Sequence, residues 1–208
     1  MIKALVFDCG GVFLDLDLER AERNFRERTG FEEIDKYLDT KHLKDYFNDF
    51  EEGLLSEEEF ISRTKSFCKE GTSTAEICEC LQSMIVGMDP EKTKVISEFK
   101  GKYELYLLSN HNPIALRRTT RIFEDAGIPL DKSFRKCYIS FKLKTIKPKA
   151  EFFEKVIEDI GLDPKEMLFI DDSQRNVDAA QGVGMNAVLY VCGTNLLDTV
   201  KAELARLG

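Results

Sequence analysis

The sequence predicts an α/β protein, a Rossmann-like parallel sheet core with helices on both faces and an inserted α-helical bundle near its start. Three observations predict it. The chain opens on a short continuous apolar run, Ala4 to Phe7, which stops at Asp8-Cys9-Gly10-Gly11, as a strand buried on both faces does. From Asp17 to about Gly87 the apolar spacing is helical almost throughout, with no strand-like run longer than a few residues. After Asp89-Pro90, apolar runs alternate with amphipathic stretches, and strands alternating with helices pair in parallel with helices on both faces. The core is therefore expected over 1–15 and 89–208 and the helical insertion over 16–88.

Within the insertion, Ser56 followed by Glu59 is a capping box, and Phe60, Ile61, Thr64, Phe67 and Cys68 share one helical face behind it. Ile34, Tyr37 and Leu38 mark a second helix, Leu43, Tyr46, Phe47 and Phe50 a third, and Ile77, Leu81, Met84 and Ile85 a fourth, punctuated by Gly30, Gly53 and Gly71. In the core, strands are expected at Glu104 to Leu108, Cys137 to Ile139, Met167 to Ile170 and Ala187 to Val191. Pro113 opens a helix closed by Gly127, Pro148 opens one that ends before Gly161, and Leu196 to Leu207 closes the chain.

The 208 residues carry 38 acidic and 30 basic side chains, a formal charge of −8, which argues against a nucleic-acid surface and leaves open a phosphorylated small molecule bound locally. No apolar stretch approaches the roughly 18 residues of a membrane span or a signal-peptide core of useful length. A cytoplasmic protein is expected, with no nucleic-acid or membrane partner, as monomer or homodimer. The six cysteines lack paired CxxC spacing, so reduced, mostly buried thiols are expected rather than a zinc site or disulfide framework, with Cys78 and Cys80 an outside candidate for redox activity.

Asp8 has a bland reading as the opening of an Asp-Gly turn. Against it, polar groups stand at or just after four strand ends: Asp8, Ser109-Asn110, Lys147 and Asp171-Asp172. In a parallel sheet all these ends share one edge, where open α/β sheets bind ligands. Three carboxylates in one crevice require a counter-charge, and oxygen ligands without histidine or thiolate suit Mg²⁺. A lysine and a hydroxyl beside them would hold phosphate oxygens. The set reads as a nucleophilic carboxylate, a metal and an anion clamp, a phosphoryl-transfer site.

These residues resemble the haloacid dehalogenase superfamily: FDCGGV for its first motif, LLSN for its second, Ser140 through Lys147-Pro148 for its third and FIDDSQRNVDAAQGVGM for its fourth. The insertion falls where that family places a type-one cap, and FDxGxV with Asp15 and Asp17 behind it is similar to the branch that includes sugar 1-phosphate phosphatases and the epoxide-hydrolase N-terminal domain. The resemblance implies a Mg²⁺-dependent hydrolase of a small phosphorylated substrate. Asp8 would be the nucleophile, with Ser109, Asn110 and Lys147 holding nucleophile and phosphate. Asp8, Gly10 through its carbonyl, Asp171 and Asp172 would hold the metal.

Two positions depart from the family pattern. Lys144 stands where a glycine is usual, three residues before Lys147. Gly10 stands where family phosphatases carry a second aspartate that protonates the leaving oxygen and then activates water, help worth about 10²–10⁴-fold. Asp15 is the substitute acid the sequence offers, against a plain reading as a solvated loop residue. Two other functions compete: a degenerate member that binds a phosphometabolite or protein without turnover, and a metal-free 2-haloacid dehalogenase, in which Asp171-Asp172 would be uncompensated. His111 reads as a helix-start hydrogen bond or a substrate contact, His42 as a surface residue of the insertion, and Arg117, Arg118 and Arg121 as a solvated helix face. Cys9 is expected to pack behind Asp8.

Overall fold

The computed structural model describes residues 1–38 and 43–208; His42 lies outside the described residues. β1 (Ala4–Phe7) leads into a tight loop and β2 (Leu14–Leu16). The insertion then runs through α1 (Leu18–Asn24), continued as one π-helical stretch to Thr29, then α2 (Tyr46–Glu52), α3 (Glu57–Lys65) and α4 (Thr74–Gln82) to β3 (Ile85–Met88). α5 (Thr93–Phe99), β4 (Glu104–Ser109), α6 (Pro113–Asp125), α7 (Leu130–Ser133), β5 (Lys136–Ile139), α8 (Ser140–Leu143) and α9 (Ala150–Ile160) follow. The chain ends with β6 (Met167–Asp171), α10 (Gln174–Gly182), β7 (Asn186–Leu189) and α11 (Leu196–Leu207).

The main sheet is parallel in the order β5-β4-β1-β6-β7. β1, paired on both sides, is central, and every one of its residues is at 0 % exposure, as are those of its neighbour β6. Its alternation divides the core: Leu5 and Phe7 face the apolar cluster that continues into the insertion through Phe13, Phe25 and Phe47, while Ala4 and Val6 face Phe152, Phe153 and Val156. The chain leaves β1 for β4 on one side and returns to β6 on the other, so a topological switch point lies at its carboxyl end.

Four expectations are corrected. Ile85 belongs to β3, not to the fourth helix, and pairs antiparallel with Leu16; α4 stops at Gln82 because Ser83 turns its hydroxyl back to the Cys80 carbonyl. Ile34 to Leu38 forms only a short 3₁₀ turn, Ile34–Lys36, since Lys44 N–H bonds the Tyr37 carbonyl and pulls the chain out of the helical path. Pro148 does not open a helix: α9 starts at Ala150, because Lys147 is tied at both backbone groups to Asn110. The last strand is Asn186–Leu189, ending at Tyr190, whose N–H bonds the Asp171 carbonyl.

The end of α2 is seated on α8, which directly follows β5. Gly53, at φ 81°, has no room for a side chain: a Cβ there would overlap the Phe141 carbonyl and lie 2.7 Å from Phe141 Cα. Gly53→Ala is expected to destabilise the fold by at least about 2 kcal/mol, from left-handed strain plus backbone overlap, measurable as a lowered denaturant midpoint. No helix among the described residues is long and apolar enough to cross a membrane.

Candidate active site

The parallel register places Asp8, Ser109, Lys147, Asp171 and Asp172 at one edge. Asp8 leaves the sheet directly after β1, its N–H bonded to the Ile170 carbonyl at 2.8 Å. Its Oδ1 accepts from Cys9 N–H at 2.6 Å and from Lys147 Nζ at 2.8 Å; Oδ2 carries no hydrogen bond from the described residues. Lys147, 4 % exposed, reaches the Leu108 carbonyl at 3.2 Å and Asp171 Oδ2 at 2.7 Å. Burial alone would discharge this ammonium, but Asp171 and Asp8 outweigh it and hold Lys147 protonated. Burial, then the charge of Asp171, drives the Asp8 carboxyl well above the ordinary carboxylate range, with Lys147 opposing.

The two aspartates that end β6 differ. Asp171 is fully buried, and its oxygens accept from Ser173 N–H, Lys147 Nζ and the Asn176 amide. Asp172 is partly open, its Oδ2 accepting from Cys192 Sγ at 3.6 Å, and burial followed by Asp171 raises its pKa. One oxygen each from Asp8, Asp171 and Asp172 lie within 4.8 Å of one another. Gly11, at φ 72°, lets the chain pass Asp172, because a Cβ there would overlap that carboxylate.

Asn110 fixes the lysine loop to β4: its Nδ2 donates to the Lys147 carbonyl and its Oδ1 accepts Lys147 N–H, both at 3.0 Å. Lys144 adopts the left-handed conformation of the glycine expected at that position, φ 57°, and its Nζ bonds the Gly53 carbonyl, tying the loop to α2.

His111 is not the helix cap. Asn112 caps α6, accepting from Ala115 N–H, while the buried His111 ring bridges Ser109 Oγ at 2.6 Å and Thr119 Oγ1 at 2.7 Å. Burial, then the charge of Lys147, pushes the His111 pKa down to about 4, so the ring is neutral at pH 7. Cys9 is buried, as expected, and burial raises its thiol pKa. Arg117 and Arg121 are exposed, as a solvated helix face implies; Arg117 also forms a two-pronged ion pair with Glu57, and the half-buried Arg118 bonds the Ile85 carbonyl, so these two also link insertion and core.

Position 10 offers no acid; a Cβ on Gly10 would meet only the movable tip of the exposed Leu16, Cδ1 at 2.8 Å. Asp15 is mostly exposed and paired with Lys92 at 2.9 Å. One further carboxylate, Glu51 on α2, carries no motif that marks it in the sequence.

A doubly wound parallel sheet with a buried aspartate-lysine-aspartate triad at its switch point is the frame of a hydrolase. The pattern of the haloacid dehalogenase-like hydrolases matches residues 2–184, and the chain belongs to that family. It is 33% identical over 185 residues, 88% of this chain and 89% of the relative, to a D-ribitol-5-phosphate phosphatase of Bacteroides thetaiotaomicron. A family enzyme from the same organism, an aspartate-to-alanine variant in complex with magnesium and inorganic phosphate, superposes with a TM-score of 0.91 at 32% identity, covering 96% of this chain and 99% of that one. A family hydrolase from Porphyromonas gingivalis gives 0.89 at 33% identity and 98% coverage of each chain.

Proposed function

We propose that this protein is a magnesium-dependent phosphatase of small phosphorylated metabolites, sugar and polyol phosphates first among them, that works through a phosphoryl group carried on Asp8. The observation that carries the reading is the pairing of Lys147 with both Asp8 and Asp171 at the switch point, with Asp172 left partly open beside them. Residues 16–88 are read as the cap over this site.

The donor set fits Mg²⁺: all three side chains offer hard oxygens, and one lysine leaves the cluster short of positive charge. Asp8, Asp172 and the Gly10 carbonyl would hold the ion, with Asp171 in reach through water. Bound there, it would neutralise phosphate charge and let Asp8 stay ionised. Asp8 Oδ2, which no described group occupies, is the oxygen left to attack phosphorus. Lys147 holds Oδ1 and pairs with a phosphate oxygen, cancelling charge as it builds. With the His111 proton on Nδ1, the ring donates to Ser109 and frees the serine hydroxyl to donate to phosphate; Thr119 then donates to Nε2.

The similarity to a phosphatase of a 5-phosphate supports this substrate class. It also sharpens the absence of an acid at Gly10, since a primary ester leaves as a strongly basic alkoxide that needs a proton. Phosphate release is expected from a panel of sugar and polyol phosphates with Mg²⁺, abolished by chelator and by Asp8→Asn. Release unchanged in Asp8→Asn would refute the reading; chloride freed from a 2-haloacid without metal would replace it with the dehalogenase.

A further inference from the structure

We propose that Glu51, on the inserted helix α2, is the proton donor to the leaving oxygen and the base for the attacking water, the work that Gly10 cannot do. The inference rests on the phosphatase reading above.

The Glu51 carboxylate has no hydrogen bond or ion pair among the described residues, although its surroundings are fully engaged. Glu52 pairs with Lys149, Lys144 bonds the Gly53 carbonyl, and Ser140 Oγ donates to the Glu51 carbonyl at 2.5 Å. That serine also accepts His111 N–H at 3.0 Å, so the backbone of Glu51 is two hydrogen bonds from the residue that bridges to Ser109. With Gly53 wedged against Phe141, the last turn of α2 is fixed to the loop bearing Lys147. Glu51 is half-buried. The charge that acts on it is the Lys147 ammonium; burial prevails, and the pKa of Glu51 is pushed up to about 7. A carboxyl poised near neutrality can both give and take a proton at physiological pH.

Topology supports the assignment. In-line transfer to Asp8 sends the leaving group away from the sheet edge, towards the inserted helices. In the first step Asp8 Oδ2 bonds to phosphorus and the bond from phosphorus to the ester oxygen breaks. The electron pair stays on that oxygen, which takes the Glu51 proton and departs as the alcohol. In the second, water attacks phosphorus and gives its proton to the Glu51 carboxylate. The bond to Asp8 breaks with its electron pair returning to the aspartate, and inorganic phosphate leaves.

The test compares 4-nitrophenyl phosphate, whose leaving group needs no proton, with glycerol 1-phosphate, whose leaving group does, in the parent, Glu51→Gln and Glu51→Asp proteins with Mg²⁺. Glu51→Gln is expected to lose about 10²–10⁴-fold in kcat/KM on the glycerol ester and far less on the nitrophenyl ester, because kcat/KM stops at the first transfer; the lost base for water lowers kcat on both, and Glu51→Asp recovers part of each loss. Equal losses of kcat/KM on both esters, or none on the glycerol ester, would overturn the assignment. Removing an unpaired acid should leave the melting temperature at pH 8 unchanged or higher; a large fall would mean that Glu51 is structural and overturn it too. A parent protein that releases phosphate from neither ester fails the phosphatase reading itself and removes the basis of this one.

Discussion

Lys147→Met is expected to cost about 3–5 kcal/mol of stability in the metal-free protein and to abolish turnover. The side chain is buried between Asp8 and Asp171, themselves 8 % and 0 % exposed, so exposure gives no screening to discount. Methionine fills much of the same volume and leaves the carboxylates facing one another without a counter-charge, the situation in which breaking a buried pair costs most. The pH dependence has a definite sign. Asp8 already has a raised pKa in the folded state, and losing Lys147 raises it further. An acid with a raised folded pKa loses stability as pH climbs from its unfolded value through its folded one. The deficit of Lys147→Met is therefore largest at neutral pH and shrinks as acid protonates the carboxylates. Denaturant unfolding of both proteins in chelator, at pH 7 and near pH 4, measures it; an equal deficit at both would show that lost packing rather than charge is responsible.

The same lysine shows why much of this site was legible in the sequence. Asp8, Ser109, Asp171 and Asp172 each stand where an apolar run stops, and a parallel sheet turns four such stops into one edge, whatever their separation along the chain. Lys147 and Asn110 follow from the same edge, although their reciprocal backbone bonds, which displace the start of α9 to Ala150, need coordinates. Features made by non-local pairing were hidden. β3 exists only because Leu14–Leu16 lies alongside it, and Ile85 taken alone continues the helical spacing of Ile77 and Leu81. His111 and Thr119 are eight residues apart and meet through an imidazole that also touches Ser109; read along the chain, His111 offers only a helix-start hydrogen bond or a substrate contact. Glu51 and Glu52 are chemically identical neighbours on α2. Only the neutralisation of Glu52 by Lys149 distinguishes them, and that contact crosses from insertion to core.

Gly11→Ala is the second substitution expected to be severe, and its effect separates metal positioning from nucleophile chemistry. Gly11 sits at φ 72°, which for alanine costs on the order of 1–3 kcal/mol. The added Cβ would overlap the Asp172 carboxylate and lie 2.8 Å even from its farther oxygen, Oδ1. The clash cannot be relieved by swinging a flexible apolar tip, as Leu16 could for a side chain at Gly10. Here the group that must move is the partly open carboxylate on which the magnesium reading depends, or the loop that carries the Gly10 carbonyl. Magnesium affinity, measured by calorimetry, is expected to fall about 10–100-fold, the range seen when the support of a metal ligand is removed, while the ion pair of Asp8 with Lys147 stays in place. Saturating Mg²⁺ should then restore part of the phosphatase rate. An affinity equal to the parent's would count against the magnesium site as assigned, since either the Asp172 carboxylate or the loop carrying the Gly10 carbonyl has to move.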